Sequence, residues 1–281
     1  MMKINNRQID KLVLAAFEED IGTGDITTNT TIPSGTLASG RFIAKEDGVI
    51  CGIDVATRIF ELTDKTIRFR PFFKDGDKVS KGDIIAEIYG PAAGILLAER
   101  IVLNLMQRMS GISTQTAKAV AQVAGTNAKI ADTRKTMPLL RVFDKYAVRV
   151  GGGSNHRFNL SDGVLIKDNH IAACGSITAA VKAAKQNAPH TLKIEVEVET
   201  LDQLREALAA EADIIMLDNM SIEMMKEAVK INAGRAKLEA SGNMGEKDLR
   251  EVAKTGVDVI SIGALTHSVK ALDISLKLTL Q

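Results

Sequence analysis

The chain has 281 residues, of which 45% are hydrophobic and 25% are charged, and its formal net charge is +1. This composition is ordinary for a globular protein, and a nearly neutral chain has no global field that would favour nucleic acid or a membrane surface. The two cysteines, Cys51 and Cys174, are too few for a disulfide framework or a zinc site, so a reducing cytoplasm is the expected compartment. Neither a signal peptide nor a membrane span is predicted.

The first hundred residues predict a helix followed by a small antiparallel sheet. The helix is expected over residues 7–20, where apolar positions recur at helical spacing, and Gly22 and Gly24 end it. Short strand-like runs separated by turn residues follow at 37–44, 48–53, 66–72 and 84–89. A second helix is expected over 92–109, and Gly111 lies just beyond it.

From about residue 128 the pattern changes to strand, loop and helix, repeated along the chain. Strand-like runs end at Asp132, Lys167, Glu197 or Glu199, Asp218, Ser241 and Gly263. A seventh strand is assigned to residues 146–150. Strands that alternate with helices imply parallel βαβ units. A (β/α) barrel with fewer than eight strands is therefore favoured, and an open doubly wound sheet is the alternative.

Positive charge is concentrated in residues 132–170. The segment holds seven Lys or Arg residues against four Asp, and two of the chain's four histidines. It contains the pairs Arg134-Lys135 and His156-Arg157 and a run of three glycines at 151–153. Basic side chains beside glycines at loop positions suit a substrate with several phosphates or carboxylates. A solvated charged face is the plainer alternative, but such a face would intermix acids and would not need three glycines.

Carboxylates gather on the strand-like run IEVEVET. Glu195, Glu197 and Glu199 share one face of it, because strand side chains alternate, and Asp218 ends the next strand. Buried carboxylates are costly unless they are paired or bound to metal, and Mg²⁺ typically takes one or two carboxylates with substrate phosphates. We therefore expect a metal site formed by one of these glutamates and Asp218, with pairing to Lys193, Lys167 or a nearby arginine as the structural alternative.

Two glycine patterns near the end of the chain suit a phosphate. Ser241-Gly242 and Gly263 each precede a predicted helix. Backbone amides at helix N-termini bind anions, and barrels commonly hold phosphate at the loops of their last two strands. These features favour positioning and charge stabilisation of a polyanionic substrate. A Schiff base on Lys167, as in barrel aldolases, is the alternative chemistry.

Eight segments, in the same order across nearly the whole chain, resemble the quinolinate phosphoribosyltransferases, also called carboxylating nicotinate-nucleotide pyrophosphorylases. They are EEDIGTGDITT (18–28), AKEDGVICGI (44–53), ERIVLNLMQRMSGIST (99–114), the basic segment 132–170, IEVEVET (194–200), MLDNM (216–220), EASGNM (239–244) and ISIGALTHS (260–268). The resemblance implies a glycosyltransferase of de novo NAD biosynthesis. It would join quinolinate to phosphoribosyl pyrophosphate with Mg²⁺, yielding nicotinate mononucleotide, pyrophosphate and CO₂.

The resemblance also implies an α/β fold with two domains. An N-terminal α/β sandwich would occupy residues 1–110, and a partly open, seven-stranded α/β barrel would occupy 111–268. Residues 269–281 would pack back onto the first domain. A homodimer, or a hexamer of such dimers, would be the working form, because Arg100 would reach the active site of the neighbouring subunit.

Individual site residues follow from the same resemblance. The quinolinate carboxylates would be held by Arg134, Lys135, His156 and Arg157, with Thr133 beside them. Lys167 would lie at the reaction centre, and Lys135 would also take part in catalysis. Glu197 and Asp218 would lie near the ribose and the metal. The phosphate loops would contain Ser241, Gly242 and Gly263.

Two other functions compete with quinolinate transfer. One is that of the molybdenum-operon paralogues of this family, which would use a different acceptor. The other is a carrier function, because residues 72–92 resemble the hairpin of lipoyl and biotinyl domains. Those carriers modify a lysine in an exposed turn, and no such lysine with its usual neighbours follows in this segment. The paired basic residues favour a dicarboxylate such as quinolinate over a monocarboxylate.

Overall fold

In the computed structural model, which describes residues 4–280, the chain forms two units. The first contains the residues up to 117, together with 137–152 and those from 269 onward. The second contains 118–136 and 153–268. An antiparallel sheet lies in the first unit and a parallel sheet in the second, which confirms the predicted α/β class.

The first unit is built on four antiparallel strands among its described residues. They are β1 Leu37–Ala44, β3 Arg68–Pro71, β5 Ile84–Pro91 and β12 Ile274–Leu280, in the order β12-β1-β5-β3. Two short strands, β2 Gly48–Val49 and β4 Lys78–Val79, pair separately. Because side chains alternate along β1, one face is buried, and Phe42 on that face meets Phe69 edge-on with ring centroids 5.5 Å apart.

Five helices of the described chain begin in this unit. They are α1 Asn6–Ile21, α2 Ile26–Thr31, α3 Ile53–Thr63, α4 Ala92–Gln122 and α5 Arg141–Val150. The helix predicted over 7–20 is confirmed. The helix predicted over 92–109 is too short, because α4 continues through Gly111. A Cβ at Gly111 would lie 2.2 Å from the Lys270 carbonyl oxygen, so this glycine permits a close backbone approach and does not end the helix. The domain boundary expected after residue 110 thus falls within α4.

The strand predicted at residues 146–150 is wrong, because these residues belong to α5. On this helix Phe143, Ala147 and Val148 are buried at helical spacing. Asp144, on the same helix, accepts two hydrogen bonds of 2.8 Å from the Arg108 guanidinium. A short apolar run such as YAVRV is compatible with either structure, and burial along one helical face decides between them.

The second unit contains a parallel sheet of six strands within the described residues. They are β6 Lys129–Ala131, β7 Val164–Ile166, β8 Ile194–Val198, β9 Ile214–Asp218, β10 Lys237–Ser241 and β11 Val259–Ser261, in the order β6-β11-β10-β9-β8-β7. A single parallel bridge between Ala131 and Ser154 extends the sheet beyond β6. The strands are rich in buried aliphatic residues, as expected for a sheet covered on both faces.

Side-chain caps start several helices of this unit. The helices are α6 Asp168–Cys174, α7 Ile177–Asn187, α8 Leu201–Ala209, α9 Ile222–Asn232, α10 Leu249–Ala253 and α11 Ala264–His267, with a 3₁₀ turn at Met244–Glu246. Ser176, Thr200, Ser221 and Asp248 each accept a hydrogen bond from a backbone amide in the first turn. Over residues 4–280, no helix has the length and apolar character needed to cross a membrane.

Candidate active site

The carboxyl ends of the parallel strands border a cavity of about 720 Å³ in the second unit. This edge of a parallel sheet is where binding loops usually converge. The predicted site residues that line the cavity are Thr133, Arg134, Lys135, His156, Arg157, Lys167, Glu197, Asp218, Ser241, Gly242 and Gly263. The remaining predicted residue, Arg100, is exposed on α4 in the first unit.

Two arginines form a cationic part of the cavity wall. Arg157 donates from Nη1 to the Gly163 carbonyl oxygen at 3.0 Å, which fixes one edge of its guanidinium. Burial and the nearby charge of Arg134 lower the pKa of Arg157, while Glu195 acts in the opposite direction. The guanidinium stays charged at neutral pH. Two neighbouring cations repel each other, so an anion bound between them would relieve an unfavourable interaction.

Lys135 is held by the backbone of its own loop. Its amide donates to Thr133 Oγ1 at 3.0 Å, and its carbonyl accepts from the Thr266 hydroxyl at 2.8 Å. A Cβ placed on Gly263 would lie 3.1 Å from Lys135 Cδ, so the lysine stem passes over the glycine. Lys135 therefore links the arginine wall to the loop after β11.

Lys167 and Glu197 form an ion pair on the strand side of the cavity. Lys167 Nζ donates to Glu197 Oε2, and the Lys167 amide donates to His170 Nδ1 at 3.0 Å. Asp218 ends the neighbouring strand and accepts from Asn219 Nδ2 at 2.7 Å. The expectation that Glu195, Glu197 and Glu199 share one strand face is wrong for Glu199. The strand β8 ends at Val198, so Glu199 lies beyond it and is exposed.

A buried cluster of one histidine and two carboxylates lies beneath the arginine wall. His156 Nε2 is 3.1 Å from Glu195 Oε2 and 3.7 Å from Glu239 Oε1. The two glutamates are each 4% exposed. Burial and the charge of Glu195 raise the pKa of Glu239 to about 7, and Asp132 adds to this, whereas His156 and the Ser261 hydroxyl oppose it. Glu239 therefore carries its proton over part of the neutral pH range.

Glu239 was not among the residues that the sequence singled out. The available signal is an acid between Leu238 and Ala240 in the middle of a buried strand. Such a position is costly for a charge, so an acid there usually has a specific partner.

The basic segment 132–170 divides between two structural roles. Arg134, Lys135, Arg157 and Lys167 line the cavity, whereas Arg141, Lys145 and Arg149 belong to α5. The glycine run at 151–153 does not border the cavity among the described lining residues. A Cβ at Gly151 would lie 2.5 Å from the Ser113 carbonyl oxygen, so this glycine permits close packing on α4. The expected role of the run in substrate binding is wrong.

Two family models together match nearly the whole chain. The model for the N-terminal domain of quinolinate phosphoribosyl transferase matches residues 25–110, and the model for the C-terminal domain matches residues 112–277. The chain belongs to the quinolinate phosphoribosyltransferase family.

Three relatives within this family are similar over nearly their full length. A probable carboxylating nicotinate-nucleotide pyrophosphorylase of Bacillus subtilis is 49% identical over 277 residues, which cover 99% of this chain and 96% of that protein. A carboxylating nicotinate-nucleotide pyrophosphorylase of Mycobacterium leprae is 46% identical, with 94% of each chain covered. The crystal structure of NadC from Streptococcus pyogenes is 44% identical, covers 100% of both chains and has a TM-score of 0.93.

Substitution of Gly242 by alanine should disrupt the loop after β10 in this phosphoribosyltransferase. Gly242 has φ +89°, and a Cβ there would lie 2.2 Å from Asn219 Oδ1 and 2.7 Å from the Asn219 amide nitrogen. Asn219 adjoins Asp218, so relief of the clash would displace the cavity wall. We expect Gly242→Ala to lose more than about 1 kcal/mol of unfolding free energy in urea titrations, together with most of its activity.

Gly175→Ala is the matched control for this substitution. Gly175 has φ +91°, but a Cβ there would meet no atom within 4 Å. The control experiences the backbone strain without the clash. Equal loss of stability in the two variants would contradict the proposed contact between position 242 and Asn219.

Glu239→Gln should change how stability depends on pH. The folded protein retains the Glu239 proton up to a pKa of about 7, whereas the unfolded chain releases it near the ordinary value of 4.5. Between these values the folded state binds more protons, so this group makes the wild type less stable as pH rises, and the loss is complete above pH 7. Glutamine does not titrate. The stability of the variant relative to wild type should therefore rise by roughly 3 kcal/mol from acidic to mildly basic pH.

Urea denaturation at several pH values measures this difference. Glu199→Gln is the control, because Glu199 is exposed and its loss should leave the pH profile unchanged. A Glu239→Gln profile that runs parallel to wild type would mean that Glu239 is ionised throughout.

Proposed function

We propose that this chain transfers the phosphoribosyl group of phosphoribosyl pyrophosphate to quinolinate and removes one carboxyl group as CO₂. The products are nicotinate mononucleotide and pyrophosphate, and the reaction serves de novo NAD biosynthesis. The observation that carries this proposal is the juxtaposition, in one cavity, of a cationic wall with the Lys167–Glu197 pair and Asp218. A dianionic pyridine and a polyphosphorylated sugar need these two kinds of surface side by side.

The quinolinate end of the cavity is assigned to the basic residues. Arg134, Lys135 and Arg157 supply the positive charge for the two carboxylates, with His156 next to Arg157 in the chain. Thr133 supports the loop through its hydrogen bond from the Lys135 amide. Guanidinium groups suit this task because their planar fork can bind a carboxylate through two hydrogen bonds.

The ribose end of the cavity is assigned to Lys167, Glu197 and Asp218. Departure of pyrophosphate leaves positive charge on the ribose carbon, and nearby carboxylates stabilise that charge. The Lys167 ion pair orients the Glu197 carboxylate. Decarboxylation next to the new pyridinium nitrogen requires little acid–base assistance, so orientation is the main contribution of the protein.

The phosphates are assigned to the loops after β10 and β11, at Ser241, Gly242 and Gly263. The helical segments that follow, Met244–Glu246 and α11, have three and four residues. Their dipoles are therefore small.

Mg²⁺ fits the oxygen donors of this site. Glu197 and Asp218 provide carboxylate oxygens at the ends of neighbouring strands, and magnesium favours such oxygens together with substrate phosphates. We propose these two residues as the ones that hold the ion directly or through water. Bound Mg²⁺ would neutralise charge on the pyrophosphate leaving group.

A comparison of acceptors tests the proposed function and separates it from the paralogue alternative. The purified chain is supplied with phosphoribosyl pyrophosphate, Mg²⁺ and either quinolinate or nicotinate, and mononucleotide formation is followed by chromatography. We expect turnover with quinolinate and at least tenfold weaker use of nicotinate, which offers one carboxylate to the cationic wall. Preference for nicotinate, or turnover with neither acid, would contradict the proposal.

Arg157→Ala should weaken quinolinate binding far more than phosphoribosyl pyrophosphate binding. The substitution removes a charge-assisted contact worth about 1.5–3 kcal/mol, which corresponds to a rise of about 10- to 150-fold in the dissociation constant. Isothermal calorimetry with each substrate measures the two effects separately. Arg205→Ala is the control, because Arg205 pairs with Asp202 on the surface of α8. Equal weakening of both substrates would oppose the assignment.

The working assembly is proposed to be a homodimer, or a hexamer of such dimers, with Arg100 supplied to the active site of the neighbouring subunit. Its exposure on α4 leaves its guanidinium accessible to another chain. Cys51 and Cys174 are both free thiols, which suits the reducing cytoplasm expected from the sequence.

A further inference from the structure

The buried cluster formed by His156, Glu195 and Glu239 is not used by any step of the proposed reaction. Its ligand atoms all lie within 4.8 Å of one another. Two carboxylate oxygens of the cluster, Glu195 Oε1 and Glu239 Oε1, are buried and have no hydrogen-bond partner among the described residues. Unpaired buried carboxylate oxygens are costly, so the arrangement should provide a compensating function.

The hydrogen bonds of His156 determine its tautomer. The Arg157 amide donates to His156 Nδ1 at 2.8 Å, so Nδ1 has a lone pair and no proton. The ring proton then lies on Nε2, which faces Glu195 Oε2 at 3.1 Å. Both ring nitrogens are therefore engaged inside the protein.

The same tautomer argues against a metal in the cluster. A cation on Nε2 would need the lone pair there and would move the ring proton to Nδ1. That proton would then face the Arg157 amide hydrogen, and two donors would oppose each other. Retention of the Glu239 proton, because burial and the charge of Glu195 raise the pKa of Glu239 to about 7, lowers the charge of the cluster without this conflict.

The backbone around His156 is also held by hydrogen bonds to Asp132. Its amide donates to Asp132 Oδ1 at 2.8 Å, and Asn155 Nδ2 donates to Asp132 Oδ2 at 2.6 Å. Asp132 is fully buried. The backbone of His156, which precedes Arg157, is therefore held in place. The ring of His156 then sets the direction of the Arg157 amide.

We propose that His156, Glu195 and Glu239 are positioning residues that orient Arg157 toward a substrate carboxylate, and that His156 acts through the Arg157 amide without binding substrate itself. This inference rests on the proposed function for the identity of the carboxylate. It replaces the expectation from the family resemblance that His156 holds quinolinate directly. The carboxylate is bound by Arg157, and the cluster fixes the arginine beforehand, which lowers the cost of ordering it on binding.

Two substitutions of His156 separate positioning from direct contact. The amide oxygen of His156→Asn can take the place of Nδ1 and accept from the Arg157 amide, but its side chain is too short to reach Glu195. The amide nitrogen of His156→Gln can take the place of Nε2 and donate to Glu195, but it leaves the Arg157 amide without its acceptor.

Steady-state kinetics provides the readout, with each substrate varied in turn while the other is saturating. We expect His156→Gln to raise the KM for quinolinate at least tenfold and His156→Asn to raise it less than about threefold, in keeping with the loss of one buried hydrogen bond in the first case only. The KM for phosphoribosyl pyrophosphate should stay unchanged in both variants. The reverse order, or equal effects on both substrates, would overturn the proposal.

A double variant tests whether His156 acts through Arg157. If it does, adding His156→Gln to Arg157→Ala should leave the quinolinate KM of the single Arg157 variant unchanged within about twofold. Additive effects of the two substitutions would mean that His156 has its own contact with substrate, and would overturn the proposal.

The role of Glu239 has its own readout in the pH profile. Four groups from other elements act on Glu239. They are Glu195 on β8, His156 in the loop before Arg157, Asp132 just after β6, and Ser261 on β11. Above pH 7 its ionisation adds negative charge to a cluster that borders the cavity, and this should raise the wild-type quinolinate KM relative to that of Glu239→Gln. The range from pH 6 to 8.5 extends about one unit or more to either side of that pKa. If the ratio of the two KM values stays constant over this range, Glu239 is not part of the positioning cluster.

A spectroscopic measurement on the wild type closes the test without relying on activity. In protein labelled with ¹⁵N-histidine, long-range proton–nitrogen correlations report the tautomer of each ring, and the signals missing in His156→Asn assign His156. We expect a protonated Nε2 and an unprotonated Nδ1. A protonated Nδ1 would overturn the proposal, whereas absence of turnover with quinolinate would count against the proposed function alone.

Discussion

Glu197→Ala is expected to lower kcat by about 10²- to 10³-fold while leaving the KM for quinolinate nearly unchanged. The carboxylate lies at the end of β8, is paired with Lys167 Nζ and borders the cavity on its strand side. Its charge is needed when the ribose carbon becomes positive, and that charge develops only in the transition state. Asp218→Ala should have a similar effect, because Asp218 ends the adjacent strand.

Glu199→Ala is the control for both substitutions. Glu199 is two residues beyond Glu197 and is exposed, so its removal should leave kcat within about twofold of wild type. Glu197→Gln keeps the size of the side chain and removes the charge. Retention of wild-type turnover by Glu197→Ala or Asp218→Ala at limiting Mg²⁺ would show that the carboxylate in question is structural.

Arg100→Ala and Lys135→Ala homodimers should each be folded and nearly inactive. Lys135 lines the cavity of its own chain, and Arg100 is proposed to complete the cavity of the neighbouring subunit. In a mixed dimer, one site would then carry both lesions and the other would carry neither. Unfolding, mixing and reassembly of the two inactive variants should restore about half of the wild-type activity per heterodimer, by the symmetry of an isologous pair.

Subunit exchange must be confirmed independently, and native mass spectrometry of the mixed sample does so. A mixture of Lys135→Ala with Lys167→Ala is the control, because these lesions affect residues of the same chain that line one cavity. Each site of that heterodimer keeps one lesion, so no activity should return. Confirmed exchange between Arg100→Ala and Lys135→Ala without recovery would show that Arg100 acts within its own chain or has no role.

The sequence predicted the strand-end residues well because their placement depends on local pattern. In a parallel sheet, a polar residue that follows an apolar run falls at the carboxyl edge, so Lys167, Glu197, Asp218 and Ser241 gather there once the strands align. The order of the strands, which is β6-β11-β10-β9-β8-β7, came from the structure.

The errors arise where long-range packing decides the local structure. Gly111 has the position of a helix stop, but it lies inside α4, where it permits the close approach of the backbone at Lys270. Residues 146–150 have strand-like composition, but they form a helix because Phe143 and Ala147 are buried on one face of α5. The approach to Gly111 comes from residues distant in sequence, so local spacing could not reveal it. The run YAVRV is compatible with either structure, and only its burial decides between them.

The buried acid of the site illustrates the same limitation. Glu239 and Glu195 are 44 residues apart, on β10 and β8, and they meet only because both face the interior beside His156. Sequence alone shows an acid in an apolar strand and gives no partner for it. The partner determines whether such an acid binds a metal, forms an ion pair or retains its proton.

The fate of the carboxyl group next to the ring nitrogen tests the central claim most directly. Quinolinate with radiolabelled carbon in that group is incubated with the chain, phosphoribosyl pyrophosphate and Mg²⁺, and labelled CO₂ and pyrophosphate are measured together. We predict equimolar release of the two products, with no labelled CO₂ when phosphoribosyl pyrophosphate is omitted. Pyrophosphate release with the label retained in a nucleotide, or no release of either product, would contradict the assignment of this chain as a decarboxylating quinolinate phosphoribosyltransferase.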